Sequence, residues 1–316
     1  MPYHLRFQSK TWAIHHVTSR CIQGYDLLKP TSEIDAIVRG VLCYSANLFE
    51  EVIKVHHCCI LSNHFHILLS AHQTGDMSDF MKHFKGNLAR ELNRVHKRRG
   101  PFWERRYFSE EILDEQSFDD TLKYLTKNSV KEGLVDHPTE WAGVHGYHHL
   151  AEGRILSGVW LNRTELSHAL CSSSRDSVKS SDFKKEYSLQ LQPPPAWPEM
   201  TNEGFIARSI KLFNEAINEA LADRDYPAMG MEMVLSQDTY IPRSPKKTSR
   251  PLCRASSLET FRAYKLLYSN FKRLFQEASM RLKEAITKGK DISNILFPQG
   301  GVAVVCGRRQ DFERVF

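Results

Sequence analysis

The sequence predicts an α+β fold: a ferredoxin-like antiparallel sheet with helices over about residues 1–150, then a mostly α-helical C-terminal region. Two observations lead there. In the first half, apolar periodicity switches between the twofold and the 3.6-fold repeat in the order strand, helix, strand, strand, helix, strand, an arrangement with helices on one face of the sheet. Beyond residue 200 the long apolar patterns are helical.

A strand from about Trp12 to Cys21 alternates in part. A helix from about Ser32 to Phe49 carries Ile34, Ile37, Val38, Val41 and Leu42 at helical intervals. The stretch Val52 to Leu69 is apolar, and Asn63 either divides it into two tightly joined strands or extends one. An amphipathic helix from about Ser78 to Lys97 turns Phe80, Phe84, Leu88, Leu92 and Val95 inward. A strand at about Tyr107 to Leu113 follows. Ser117 with Asp120 forms a capping-box-like start to a helix from about Phe118 to Asn128. At roughly 100° per residue, Phe118, Leu122 and Leu125 share one face, and Tyr124 and Asn128 share a stripe away from it.

The serine-rich stretch from Cys171 and the prolines up to Pro198 read as an irregular connection within residues 151–200. Helices are expected from Gly204 to Asp223 and from about Leu258 to Lys288, with a basic segment, 243–254, between them. That segment is free of acids, as befits a solvated linker or a mobile segment that meets phosphate.

The chain of 316 residues is long enough for two domains. No stretch approaches the roughly 20 apolar residues of a membrane span, and residues 1–10 lack an apolar signal core, so a soluble cytoplasmic protein is expected. Seven scattered cysteines without a C-x-x-C pair argue against a disulfide framework or a zinc knuckle. The net charge of +6 is concentrated: Lys82, Lys85, Arg90, Arg94, Lys97, Arg98, Arg99, Arg105 and Arg106 face only Glu91 and Glu104 in that interval. With Trp103 and Tyr107 beside them, these cations form the footprint expected for a polyanion with rings for base stacking. A solvated helix face is the simpler account of the half from Lys82 to Arg94.

His64-Phe65-His66 carries the chemistry. On a strand the two imidazoles project to one side, where they can grip one metal ion at the expense of packing surface. Two histidines on a half-exposed strand face are common, so the triplet gains meaning only with a second element. That element is the helix bearing Tyr124 and, one turn on, Asn128, a neutral oxygen ligand.

A strand bearing His-hydrophobic-His, followed by a helix bearing Tyr and a polar ligand four residues on, resembles the HUH superfamily of single-strand endonucleases. The closer resemblance is to the single-tyrosine transposases of insertion sequences, specifically the REP-associated tyrosine transposases. It is carried by Ser62-Asn63-His64-Phe65-His66-Ile67-Leu68, by Phe102-Trp103-Glu104-Arg105-Arg106-Tyr107, and by the stretch from Tyr124-Leu125-Thr126-Lys127-Asn128 to Val135, and it covers about the first 150 residues. Two departures stand out. Ser129 replaces the usual proline after the asparagine, which should alter only how the helix ends, and the stretch Trp141 to Tyr147, in a region implied in positioning DNA, lacks the usual serine pair.

The resemblance implies an HUH endonuclease core with Tyr124 as nucleophile. His64, His66 and Asn128 would be ligands of a divalent metal, for which Mg²⁺ or Mn²⁺ suits phosphoryl chemistry. It implies single-stranded, hairpin-type DNA as substrate, a 5′-phosphotyrosine intermediate, no nucleotide cofactor and no membrane partner, and it leaves a homodimer open. Lys82, Lys85, Arg90, Arg94, Lys97, Arg98, Arg99, Trp103, Arg105, Arg106, Tyr107 and Lys131 are the expected DNA contacts, and a nucleoid-associated location follows from such a substrate. Two rival readings are a non-enzymatic or domesticated DNA-binding protein on the same fold and a replication initiator or relaxase. The second is disfavoured, since the helix has no second tyrosine and the chain no G-x-x-x-x-G-K-[ST] loop. A hydrolase without a covalent step is also disfavoured, because no acidic cluster accompanies the histidines.

Overall fold

Strand β1 (Ala13–Arg20), helix α1 (Ser32–Leu48), strands β2 (Ile53–Ile60) and β3 (His64–Ala71), helix α2 (Thr74–Val95) and strand β4 (Phe108–Ile112) follow in the expected order. In this computed structural model, residues 6–172, 178–244 and 251–298 are described, with the backbone of two short paired strands at 304–305 and 308–309. The four strands lie antiparallel in the order β2-β3-β1-β4, so β3 is a central strand. Asn63 divides the long apolar run: it sits in the tight β2–β3 turn, where its carbonyl accepts from Cys21 N at 2.8 Å.

The crossover helices α1 and α2 share one face of the sheet. There Phe65 of β3 meets Phe84 of α2 with ring centroids 5.4 Å apart, and Ser109 of β4 donates to Met77 Sδ. The opposite face carries His16 and His66 and is covered by the next helix, α3 (Glu115–Lys131), through Tyr124. Helices on one face therefore describes the crossover pair alone.

Helix α3 starts three residues earlier than its sequence pattern suggests. Its N-cap is Asp114, whose carboxylate accepts from Ser117 N at 2.9 Å, while Ser117 itself is buried in the first turn. With serine in place of proline after Asn128, the helix continues to Lys131. It then ends at Gly133, where φ is +67° and a β-carbon would lie 2.6 Å from the Tyr226 ring.

Downstream come α4 (Gly146–Leu150), β5 (Leu156–Leu161), α5 (Arg163–Ser172), β6 (Lys184–Leu189), α6 (Asn202–Ala222), α7 (Met231–Ser236), a two-residue strand β7 (Cys253–Arg254) and α8 (Leu258–Thr287). The connection expected to be irregular contains β6, which pairs antiparallel with β5 in a small second sheet against α1. Mostly polar residues in β6 leave no twofold apolar signal to read, and its order comes from its partner strand. Helix α6 lies along α3, sending Phe205 and Phe213 into the main core and pairing Lys123 with Glu215, Lys127 with Glu219 and Arg208 with Asp119. Strand β7 extends the sheet in parallel beside β4, a departure from an all-antiparallel sheet. Of the basic segment 243–254, residues 245–250 lie outside the described residues. Arg243 pairs with Asp26 at 2.6 Å. No helix among the described residues is long and apolar enough to cross a membrane.

Two buried groups of opposite sign bound the pH range of the fold. Burial pushes His15 and His57 down to about 3 and His56 to about 4, so these imidazoles are neutral in the native state. Unfolded histidines protonate near 6.5, so the stability of the neutral state is present above that pH and is lost as pH falls. The urea midpoint should drop as pH is lowered from 6.5 towards 4, as stability falls by up to roughly 1.4 kcal/mol per histidine per pH unit. His57→Leu should flatten that dependence, since neither ring nitrogen of His57 has a hydrogen-bond partner. Burial raises Glu111 to about 7 against the opposing bonds from Ser9 and Tyr264. For this acid the stability is present below about 4.5 and is lost as pH rises through about 7. Glu111→Gln should therefore stabilise the protein at pH 8 by about 2 kcal/mol and leave it nearly unchanged at pH 5, read from urea midpoints at both pH values.

Candidate active site

Strand register assembles the site. Residues directly opposite on paired strands share a face, and His66 lies opposite Thr18, His64 opposite Arg20, and Glu110 opposite His16. His16, His64, His66 and Glu110 therefore stand together on the face that α3 covers. The His64 and His66 rings are 4.9 Å apart, and Tyr124 stands edge-on over His66 at 5.6 Å and over His16 at 6.1 Å. The tyrosine helix thus sits over the sheet of its own chain.

Hydrogen bonds fix which nitrogens of the two histidines are free. Glu110 Oε1 lies 2.7 Å from His16 Nδ1, and an ionised carboxylate only accepts, so His16 donates from Nδ1. In a neutral ring Nε2 then accepts, and the group 2.8 Å away is His66 Nδ1, which donates its proton to it. His66 Nε2 is left with a lone pair, buried and without a hydrogen-bond partner. His64 follows the same logic. Its Nδ1 donates to Asn63 Oδ1 at 2.6 Å, and Asn63 is oriented by donating Nδ2 to the Gly24 carbonyl.

Electrostatics agree with this assignment. Burial, with the Arg20 charge, lowers His64 to about 4, and burial beside His64, His16 and Arg254 drives His66 well below the usual histidine value. Burial pushes Glu110 up, but the hydrogen bond from His16, with the charge and hydrogen bond of Arg254, outweighs it and holds the carboxyl below its usual range. Arg254 Nε bonds Glu110 Oε1 at 2.5 Å. The Tyr124 phenol is raised by burial, with Arg254 opposing, so it carries its proton at neutral pH.

Asn128 is not on a surface stripe. It is 2% exposed, and its amide nitrogen has no partner. A half-turn of the amide exchanges nitrogen for oxygen, so the group can present an acceptor at the same place. Among the described residues no group of three or more His, Cys, Asp or Glu side chains could hold a metal ion, so a cation here would rely on two imidazoles and this carboxamide. The unpartnered His66 Nε2 and Asn128 amide fit such a ligand set.

The residues expected to contact DNA divide into two groups. Lys82, Arg90, Arg94, Lys97, Arg99, Arg105, Arg106 and Lys131 are exposed, with Arg94 paired to Glu91 and Arg90 bonded to Asn87. Arg98 is half-buried over the Tyr25 ring at 5.8 Å. Lys131 lies 5.9 Å from the Tyr124 ring. Lys85, by contrast, is 8% exposed, donates to the Arg105 carbonyl at 3.1 Å, and is lowered to about 7 by burial and then by Arg6. Trp103 donates Nε1 to the Lys85 carbonyl and packs on Phe65, and Tyr107 is covered by the Arg6 guanidinium at 3.5 Å. These three side chains hold the 102–107 segment in place. Trp141 is likewise a core side chain, 1% exposed, donating to the Ile60 carbonyl.

Sequence reasoning missed His16, Glu110 and Arg254. The first two had a signal. His15-His16 and Glu110-Glu111 are polar pairs inside strands, and alternation requires one member of each to face the histidine side. Arg254 had none, since it reaches the site through a two-residue strand.

Comparison with known proteins agrees with the geometry. Residues 30–128 match the family model described as "Transposase IS200 like". The resemblance read from the motifs agrees with this match, which spans under a third of the chain. More particularly, the chain is 25% identical over 118 residues to a putative REP-associated tyrosine transposase of Haemophilus influenzae, an alignment covering 34% of this chain and 66% of that relative. A solved REP-associated tyrosine transposase bound to a REP hairpin shares 15% identity with a TM-score of 0.40, over 48% of this chain and 86% of the other. A putative transposase from Deinococcus radiodurans R1 shares 17% identity with a TM-score of 0.28, over 38% of this chain and 93% of that one.

Proposed function

We propose that this chain is a metal-dependent single-stranded DNA endonuclease and strand transferase of the transposase kind, acting on hairpin-type DNA ends through a 5′-phosphotyrosine intermediate. The observation that carries the reading is the pair of imidazoles whose Nε2 lone pairs are left free beside Tyr124, with the unpartnered Asn128 amide one helical turn on. A divalent cation, Mg²⁺ or Mn²⁺, held by His64, His66 and Asn128 would neutralise and orient the scissile phosphate.

The protein's own groups supply the remaining steps. Tyr124 Oη attacks phosphorus, the Oη–P bond forms and the P–O3′ bond breaks. The phenol loses its proton, and the departing 3′-oxygen takes one up to become a hydroxyl. The phosphodiester energy stays in the phosphotyrosine link, so a second 3′-hydroxyl can reverse the step and no nucleotide cofactor is required. Because Tyr124 stands over its own sheet, nucleophile and histidines come from one chain. The exposed cations between Lys82 and Arg106 would take phosphates, while the hairpin class of substrate comes from the resemblance. A DNA substrate of this kind places the protein at the nucleoid.

Incubation with labelled single-stranded hairpin oligonucleotides from DNA flanking the gene, with Mg²⁺ or Mn²⁺, should give a covalent protein–DNA adduct. Tyr124→Phe should abolish the adduct and spare binding, and His64→Ala with His66→Ala should remove the metal-dependent signal. Tight binding without an adduct on any hairpin would favour a DNA-binding protein on the same fold. Arg98→Ala with Arg99→Ala should weaken binding and reduce the slope of log K against log salt by about 1–2, and an unaltered slope would return that run to the solvated surface.

A further inference from the structure

Arg254 belongs to the C-terminal region, 126 residues beyond the stretch that matches the transposase family. It nevertheless stands in the site. Strand β7 places Arg254 opposite Ile112 of β4, two residues from Glu110, so its side chain falls on the face of His16 and His66. Backbone bonds secure it: Glu111 N donates to the Leu252 carbonyl and Leu113 N to the Arg254 carbonyl. One residue beyond Ala255, Ser256 N donates to Asp114 Oδ2 at 2.8 Å, and Asp114 is also the N-cap of the tyrosine helix. The β7 segment is therefore tied both to the sheet and to α3.

The guanidinium is only partly used. Nε bonds Glu110, and its central carbon lies 5.7 Å from the Tyr124 ring centroid. The side chain is 33% exposed and lines a cleft of about 510 Å³ between the starts of α3 and α8, so it can be reached from solvent. The Glu110 bond at Nε fixes the fork, and the Nη groups remain for a planar bidentate contact of the kind guanidinium makes with phosphate.

Resting on the proposed function, we infer that Arg254 is a catalytic residue that clamps the non-bridging oxygens of the scissile phosphate beside Tyr124. The C-terminal region thereby completes the active site of the N-terminal domain. As Tyr124 Oη bonds to phosphorus and O3′ departs, charge accumulates on those oxygens, and the fork is already oriented to receive it.

The test uses the full-length chain and the hairpin oligonucleotide on which the wild type forms its adduct, with the cleaved linkage mapped. Arg254→Gln should slow adduct formation by about 10²-fold, as removal of one such donor does elsewhere, while hairpin affinity stays near wild type. Arg254→Lys should recover only part of the rate. With a neutral methylphosphonate at the scissile position there is no charge to clamp, and the difference between wild type and Arg254→Gln should shrink to within a few-fold. An equal defect on both linkages, or a full rate from Arg254→Gln on phosphodiester, overturns the assignment and leaves the tyrosine chemistry standing. If the wild type forms no adduct on any hairpin, the proposed function falls and Arg254 with it.

Discussion

The buried bond between Glu110 and His16 is the constraint on which the rest of the site depends. A carboxylate in the middle of a sheet face loses several kcal/mol of hydration, and it stays ionised only because two donors reach the same oxygen. Its ionisation then propagates. Glu110 dictates the tautomer of His16, His16 dictates that of His66, and His66 is left holding a lone pair where Tyr124 approaches. Had Glu110 been a neutral glutamine, its amide could accept or donate, and the proton positions along the chain would no longer be determined. One charge sets the direction of two hydrogen bonds, and carboxylate–imidazole pairs act in the same way behind the ligands of metal sites generally.

The tyrosine helix is held with comparable redundancy. Its inner side rests on the sheet, its outer side is clamped by the ion pairs and aromatic rings of α6, and its N-cap Asp114 serves two amides, Ser117 of the helix and Ser256 of the β7 segment. Exposed ion pairs contribute little singly, commonly under about 1 kcal/mol. Here they align a helix already packed through Phe118, Leu122 and Leu125, so their effect is on position more than on stability. A tyrosine whose ring centroid lies 5.6 Å from that of one imidazole, on a helix fixed along its length, is preorganised rather than delivered by a loop.

How much of this was legible follows from the range of the interactions. The order of the first six elements could be read because each carries its own apolar period, and Asn63 marked the β2–β3 turn without deciding it. Helix α3 was placed three residues late, because Ser117 and Asp114 both offer a cap and only the packed helix selects between them. In the candidate site, His64, His66, Tyr124 and Asn128 were singled out by strand and helix spacing together with the family resemblance. Their setting was not legible, since Asn128 looks surface-facing on a helical wheel until α3 is laid on the sheet. Strands β6 and β7 were invisible for a related reason: one is mostly polar and the other two residues long, and both are ordered by distant partners.

The basic run shows how composition misleads at the level of single residues. Nine cations within 25 positions carry a real electrostatic signal, yet one of them, Lys85, is spent inside the protein. Its ammonium gives up most of its hydration to bond the Arg105 carbonyl, and its own carbonyl receives the Trp103 indole. The exchange ties the middle of α2 to the segment that bears Arg105 and Arg106, so a buried lysine and a half-buried tryptophan set where two exposed arginines stand. The same logic governs His66 Nε2 and the Asn128 amide. Each buried polar atom without a partner costs roughly 1–3 kcal/mol, a burden that an ordinary core sheds by substitution. Two such atoms beside one tyrosine, each set in place by well-made bonds behind it, make sense as the inner surface of a site whose final partner arrives from outside the chain.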